Sequence, residues 1–243
     1  MAVNSINKQT ALSKRVWEMI QKNPERYVHY TFVHHDLESP RRIIPEVAKY
    51  VPTASVVDVG CGLGAWLKVF EERGADRVLG IDGDYLNLDK VLIAKKDILK
   101  TDLEALDQFP TQEKFDLSIC LEVAEHLKPE AAENLVAFLT HLSDAVLFSA
   151  AIPFQGGLHH INEQWPAYWQ AIFAKHGFQF HDLIRPVIWN DSNIKWWYRQ
   201  NIFLVCKAGK FDLPAEGPIR NMVHPELFLN NMKMQKDGQH STS

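Results

Sequence analysis

Val56-Val57-Asp58-Val59-Gly60-Cys61-Gly62-Leu63-Gly64 is the stretch that decides how this chain is read. An apolar run delivers an acid, Asp58, to its end and then breaks into three alternating glycines. The residues that follow, 65–72, have helical spacing. The pattern predicts strand, tight loop and helix in that order. Glycines in such a loop let backbone approach a ligand with no Cβ in the way, and the helix N-terminus presents N–H groups. Taken alone, the glycine spacing fits a plain strand–helix turn equally well. Its setting adds weight. About twenty residues on, Leu79-Gly80-Ile81-Asp82 closes a second apolar run with an acid, where a ribose would find its carboxylate acceptor.

Outward from this stretch, strands and helices alternate, which predicts a parallel sheet covered on both faces. Strands are expected at 55–59, 77–81, 90–95, 115–121 and 144–150. Ser39-Pro40 reads as a helix start, with Ile43, Ile44, Val47, Ala48 and Val51 as its apolar stripe. Pro129 suits the first turn of a helix over 130–142, and another helix runs over 165–176 up to Gly177. The last two strands, 178–188 and 197–207, are joined by Asn190-Asp191-Ser192-Asn193. No helix is expected in that gap, so they should pair antiparallel. Before the sheet, 12–21 has helical spacing and 27–38 is rich in aromatics and His. This divides the chain into an N-terminal helical arm (1–38), an α/β domain (39–208) and a polar tail (209–243), disordered beyond about 230.

With 243 residues and 46% hydrophobic side chains, the chain can fill one sizeable core. The formal net charge of −4 argues against a general grip on a long phosphate backbone. Cys61, Cys120 and Cys206 lie far apart with no C-x-x-C, which predicts reduced, partly buried thiols rather than disulfides or a zinc site. The polar start and the lack of a bilayer-spanning apolar run make a cytoplasmic enzyme the expectation.

The glycine loop does not complete the dinucleotide pattern G-x-G-x-x-G. Asp-Val-Gly-Cys-Gly-Leu-Gly instead resembles motif I of the class I S-adenosylmethionine (SAM) methyltransferases. The resemblance continues in order through Gly80-Ile81-Asp82, Lys96-Asp97-Ile98 and 115–120, and covers roughly residues 40–207. It implies a Rossmann-like, doubly wound, seven-stranded, mostly parallel sheet with a C-terminal antiparallel hairpin. It also implies that SAM is the cofactor. Asp58, Gly60, Gly62 and Gly64 would hold its amino acid end, and Asp82 both ribose hydroxyls. Asp97 would take the adenine amino group with the Ile98 backbone beside it, and Leu121 would flank the adenine or the methionine chain. For Asp97, a helix cap or a solvated loop acid is the alternative.

A second constellation follows the fourth strand, Leu121-Glu122-Val123-Ala124-Glu125-His126-Leu127. In a helical turn, positions i, i+3 and i+4 share a face, so Glu122, Glu125 and His126 converge at the carboxyl end of the sheet. Two carboxylates and an imidazole invite a divalent cation. The Glu-x-x-Glu-His pattern, with a later His before x-x-Glu-x-Trp, resembles the metal-dependent 2′-O-methyltransferases of small-RNA 3′ ends. The Glu-Val-x-Glu-His part also resembles ubiquinone-pathway O-methyltransferases. These resemblances imply Mg²⁺ or Mn²⁺ held by Glu122, Glu125, His126 and His160. His160 fits the later position better than His159, while Trp165 falls one place later than in the RNA family. Metal-free general-base catalysis by His126 or His160, or a purely structural turn, are the alternatives.

The expected reaction is methyl transfer to a hydroxyl of a small molecule, sugar or glycosylated natural product, with a vicinal diol able to chelate the metal. An RNA 3′ end, a nitrogen acceptor and a non-catalytic module are the competing functions. Neither nucleic acid nor membrane is an expected partner. Trp189, Trp196, Trp197 and Tyr198 could stack on a ring, with Arg199 meeting an anion, and 154–160 could form a mobile lid.

Overall fold

Runs such as 56–59 and 145–148 carry no polar stripe, as expected of strands buried on both faces. In the computed structural model, which describes residues 36–214 and 219–240 (side chains of 233–240 excepted), they form the middle of one seven-stranded sheet. The strands are β1 (Ser55–Val59), β2 (Arg77–Asp82), β3 (Ile98–Lys100), β4 (Leu117–Leu121), β5 (Ala145–Ser149), β6 (Phe178–His181) and β7 (Phe203–Lys207). Their order is β3-β2-β1-β4-β5-β7-β6. β7 alone runs against its neighbours, pairing antiparallel with both β5 and β6. The expected helical arm (1–38) falls outside the described residues, apart from 36–38.

Side-chain alternation divides the core in two. Val56, Leu117, Ile119, Leu147 and Leu204 face one side, with helices α1 (Glu38–Val47) and α2 (Ala65–Glu72). Val57, Val59, Val146, Phe148, Phe203 and Val205 face the other, with α3 (Ala132–Leu142) and α4 (Pro166–Lys175). Ile43, Ile44, Val47 and Val51 are buried as the stripe predicts, whereas Ala48 is exposed, and the Asp36 carboxylate caps α1 by accepting the Glu38 N–H at 2.9 Å. The three cysteines are free, and all are buried rather than partly so. No helix among the described residues is long and apolar enough to cross a membrane.

Three expectations are corrected. Residues 90–95 are not a strand. Their apolar side chains serve the glycine loop instead: Leu92 N–H bonds Leu63 O at 2.8 Å, and Ile93 packs over Gly64. The strand in that place, β3, begins after Asp97, with Ile98 opposite Gly80. The final hairpin is also not a tight one. Its strands are shorter than expected, and the connection holds two short helices, α5 (Arg185–Ile188) and α6 (Trp196–Asn201). Tyr198, Arg199, Gln200 and Asn201 are all buried in succession, which a half-exposed edge strand would not allow. Last, the polar tail contains helix α7 (Pro225–His240), pinned by buried Leu227.

Candidate active site

The chain winds outward from β1 to β3, then crosses back to β4. The sheet therefore has its switch point between the carboxyl ends of β1 and β4, where open α/β sheets bind ligands. A cavity of about 620 Å³ opens there. On the β1–β3 side it is lined by Asp58, Gly60, Gly62, Asp82, Tyr85 and Asp102. On the β4 side it is lined by Leu121, Glu122, His126, His159, Trp197 and Tyr198.

The glycine loop is needed where it stands. Gly60 has φ +84°, and a Cβ on it would lie 2.3 Å from Val123 Cγ2. At Gly62, φ +53°, a Cβ would meet nothing within 4 Å, so that residue leaves open space. Gly64, φ +80°, caps α2 and does not line the cavity. The loop's N–H groups turn inward. Gly60 and Cys61 donate to Ile81 O, Gly64 donates to Cys61 O, and Gly62 donates to Asp82 Oδ2 at 2.7 Å. Asp82 is thereby locked: Oδ1 accepts Gly83 N–H at 2.6 Å. Burial raises the Asp82 pKa, opposed by hydrogen bonds from Tyr85, Gly62 and Gly83. Asp58 is buried and meets no hydrogen-bond donor among the described residues. Burial first, and the neighbouring Asp82 charge second, raise its pKa well above the usual carboxylate range.

Asp97 and Ile98 do not line the cavity. Asp97 closes a 3₁₀ turn before β3, at the amino end of that strand and away from the site. The carboxyl end of β3 instead leads to Thr101, Asp102, Leu103 and Glu104, all of which line the cavity. The signal for them was the short apolar pair Ile98-Leu99, which is the true strand.

On the β4 side, Glu122 sits in the left-handed region, φ 55°, at the end of the strand. Its carboxylate accepts Asn201 Nδ2 at 3.1 and 3.2 Å and Gln155 Nε2 at 3.1 Å. Buried Gln200 braces both amides, donating to Gln155 Oε1 and Asn201 Oδ1, each at 3.0 Å. Burial raises the Glu122 pKa, and these amides, Ser149 and the nearby His160 oppose the rise.

Behind it, Glu125, His126 and His160 place one ligating atom each within 4.8 Å of one another. Glu125 is fully buried, and neither carboxylate oxygen has a hydrogen-bond partner among the described residues. Burial, then the charge of Glu122, raises its pKa well above normal; the backbone at Glu125 and Ala151 opposes this. The His126 and His160 rings meet edge to face at 4.8 Å. Glu122, expected as a fourth ligand, lies outside this trio because its oxygens belong to the amide network. His160, expected in the site, does not line the cavity, whereas His126 and His159 do. His160 Nδ1 is tied to Glu163 Oε1 at 2.9 Å, and the ring covers Gly157, whose Cβ would lie 2.2 Å from Nε2. His159 faces the cavity on a left-handed backbone, φ 62°.

The trio fits a divalent cation: two imidazoles, a buried carboxylate without a donor, and a second carboxylate fixing one imidazole through its other nitrogen. The cavity beside it fits SAM. Gly62 leaves room, Asp58 lacks a positive partner, and Asp82 presents aligned acceptors.

A family model described as a methyltransferase domain matches residues 27–200. The chain belongs to that family. It is a class I SAM-dependent methyltransferase, with the seven-stranded sheet of that class. The fold is similar to that of human N-acetylserotonin methyltransferase in complex with SAM, at 13% identity and TM-score 0.52, over 79% of this chain and 59% of that one. It is also similar to magnesium protoporphyrin IX methyltransferase from Synechocystis PCC 6803 with bound SAM (19% identity, TM-score 0.48, 69% and 76% of the two chains). A third is a TehB-like SAM-dependent methyltransferase from Corynebacterium glutamicum (17% identity, TM-score 0.49, 78% and 98%). No curated protein sequence matches the methyltransferase.

Two further expectations change. Residues 154–160 are anchored, since Glu163 accepts the N–H groups of Phe154 and Gly156, each at 2.8 Å, while Gln155 is buried in the amide network. Arg199 meets its anion within the methyltransferase itself, Glu226 of α7 at 2.5 Å, and is buried. Of the tryptophans, Trp66 and Trp197 line the cavity, and Trp169 belongs to the core.

Proposed function

We propose that this methyltransferase moves the SAM methyl group to a hydroxyl of a small molecule, sugar or glycosylated natural product, assisted by a divalent cation. The single observation that carries the reading is Glu125. A buried carboxylate with no hydrogen-bond partner among the described residues, beside His126 and His160 and outside the cavity lining, costs stability unless a positive charge joins it. Glu125, His126 and His160 would hold Mg²⁺ or Mn²⁺, with Glu163 fixing the His160 tautomer. Such an ion, when bound, lowers the pKa of a nearby hydroxyl and aims its oxygen.

SAM would supply a methyl group on a sulfonium, already a good leaving group. Asp58 would answer its positive amino acid end and Asp82 its ribose hydroxyls. Asp102 takes over the adenine side expected of Asp97. The acceptor would enter beside Glu122, whose amide-braced carboxylate would accept a hydrogen bond from its hydroxyl, and His159, which stands in the cavity lining outside the metal trio, would take the proton.

The cavity wall favours a small acceptor over RNA. Asp36, Asp58, Asp82, Asp84, Asp102, Glu104 and Glu122 line it, against Lys128 and Lys195. A polyphosphate chain would meet net repulsion there. Trp197 offers a flat apolar face suited to a sugar or aromatic ring.

The test is calorimetric titration of SAM and then Mn²⁺, on the wild type and on Glu125→Ala with His160→Ala, followed by methyl transfer to a panel of vicinal diols and their monomethyl ethers. Expected are SAM binding in both proteins, a metal heat in the wild type alone, and transfer to diols. No metal heat with SAM and diol present would sink the metal part and leave a histidine-base enzyme.

A further inference from the structure

Resting on the reading above that SAM occupies this cavity, we infer that Tyr198 and Lys195 grip the carboxylate of the cofactor's amino acid end, at the first turn of α2. SAM brings both an ammonium and a carboxylate to the β1 side. Asp58 suits the ammonium and repels the carboxylate. The glycine loop is poorly placed to receive the carboxylate, because Gly60, Cys61, Gly62 and Gly64 already donate their N–H groups inward. A buried carboxylate without donors is costly, so other donors are needed.

The cavity wall offers few. Lys128 is engaged by Glu104 at 3.0 Å. Lys195 lines the cavity and makes no ion pair among the described residues. Tyr198, one helical turn further along α6, is only 7% exposed and also lines the cavity. Trp66 Nε1 donates to the Tyr198 hydroxyl at 3.4 Å, and the two rings meet edge to face at 5.3 Å. That occupies a lone pair of the phenol oxygen and leaves its proton for the cavity. Trp66 and Ala65, which also line the cavity, are the first residues of α2, whose N–H groups have no helical carbonyl to reach. Tyr198 O–H thus reaches these N–H groups from the β4 side through its contact with Trp66, and the Lys195 ammonium lines the same cavity. They are complementary to a carboxylate and far better suited to it than to a second cation.

The grip also explains why a residue so late in the chain lines a cavity built by the β1 motif. It makes α6 part of the cofactor site and ties cofactor affinity to a segment outside every SAM motif.

The experiment measures dissociation constants by calorimetry for SAM and for decarboxylated SAM, which lacks only the carboxylate. Tyr198→Phe keeps the ring against Trp66, and Lys195→Ala changes an exposed side chain that makes no ion pair among the described residues. Thermal melting of each variant checks the fold. Tyr198→Phe should weaken SAM about tenfold or more, as loss of a hydrogen bond to a charged group does. Lys195→Ala should weaken it about threefold at low salt and less at high salt. Both variants should bind decarboxylated SAM within about twofold of the wild type, the scatter expected when no contact is lost. Unchanged SAM affinity in both variants, or an equal loss for both ligands, overturns the proposal and returns Tyr198 to packing or to the acceptor. If the wild type binds neither ligand, the SAM reading of the cavity fails first, and this proposal with it.

Discussion

The two halves of the cavity are built in opposite ways. On the β1–β3 side, backbone does the work: three glycines at positive φ, and N–H groups that lock Asp82 in place. The residues involved lie close together in sequence. On the β4 side, side chains do the work. Glu122, Gln155, Gln200 and Asn201 form one buried amide–carboxylate network, although they come from three separate segments. A backbone-built half tolerates few residue types at a few positions. A side-chain-built half depends on every member being satisfied, since one lost partner strands a buried polar group.

Breaking each half should therefore look different, and the largest effect belongs to the loop. Gly60→Val should abolish SAM binding and destabilise the fold by several kcal/mol. The new side chain would collide with Val123 and demand a left-handed backbone from a β-branched residue. Gly62→Ala sharpens the contrast. It meets open space, so the melting temperature should fall only by what about 1 kcal/mol of left-handed strain costs, while SAM affinity drops as the methyl group enters the cavity. Calorimetry and thermal melting of the pair separate the two outcomes. Equal losses of stability would show that the loop is merely structural.

On the other side, Asn201→Ala removes both amide contacts to Glu122 and should cost about 1–3 kcal/mol, read by chemical denaturation. Its activity profile should also shift to higher pH, because a donor that lowers the Glu122 pKa is gone. Glu163→Gln should leave SAM binding intact and lower Mn²⁺ affinity about 10–100-fold through His160.

The smallest effect is a slope. The Glu125 pKa is raised well above its ordinary 4.5, so the metal-free folded protein holds a proton that the unfolded chain releases. Stability from this group is complete below pH 4.5 and is lost as pH rises toward the folded pKa. Glu125→Gln should flatten part of that decline in melts with chelator present, the remainder coming from Asp58, Asp82 and Glu122. An unchanged slope would mean that Glu125 is not a source of it.

The same contrast governs what the sequence disclosed. The fold and the β1 loop were legible because strand, glycine spacing and Asp82 are local patterns with few alternatives. Asp97 misled because residues 90–95 looked like the third strand, whereas Ile93 is spent on covering Gly64. That shifted the carboxyl end of β3 and hid Asp102. The amide network left no trace in sequence, since Gln155 and Asn201 carry no periodicity: Gln155 reaches Glu122 from the loop after neighbouring β5, and Asn201 from the end of α6, before antiparallel β7. Glu122, Glu125 and His126 were found by helical spacing. That spacing could not say that Glu122 would be drawn off by amides, nor that His159 rather than His160 would face the cavity.

The bond from His224 N–H to Gln200 Oε1, at 2.7 Å, has one more consequence. On the ribosome, residues 55–121 emerge long before residue 224 exists. The β1 loop can close around Asp82 while synthesis is still under way, but Gln200 lacks one of its buried partners until His224 arrives. The β4 side is thus completed after the β1–β3 side, and a product truncated before residue 224 would carry the SAM motifs complete beside an unfinished β4 wall.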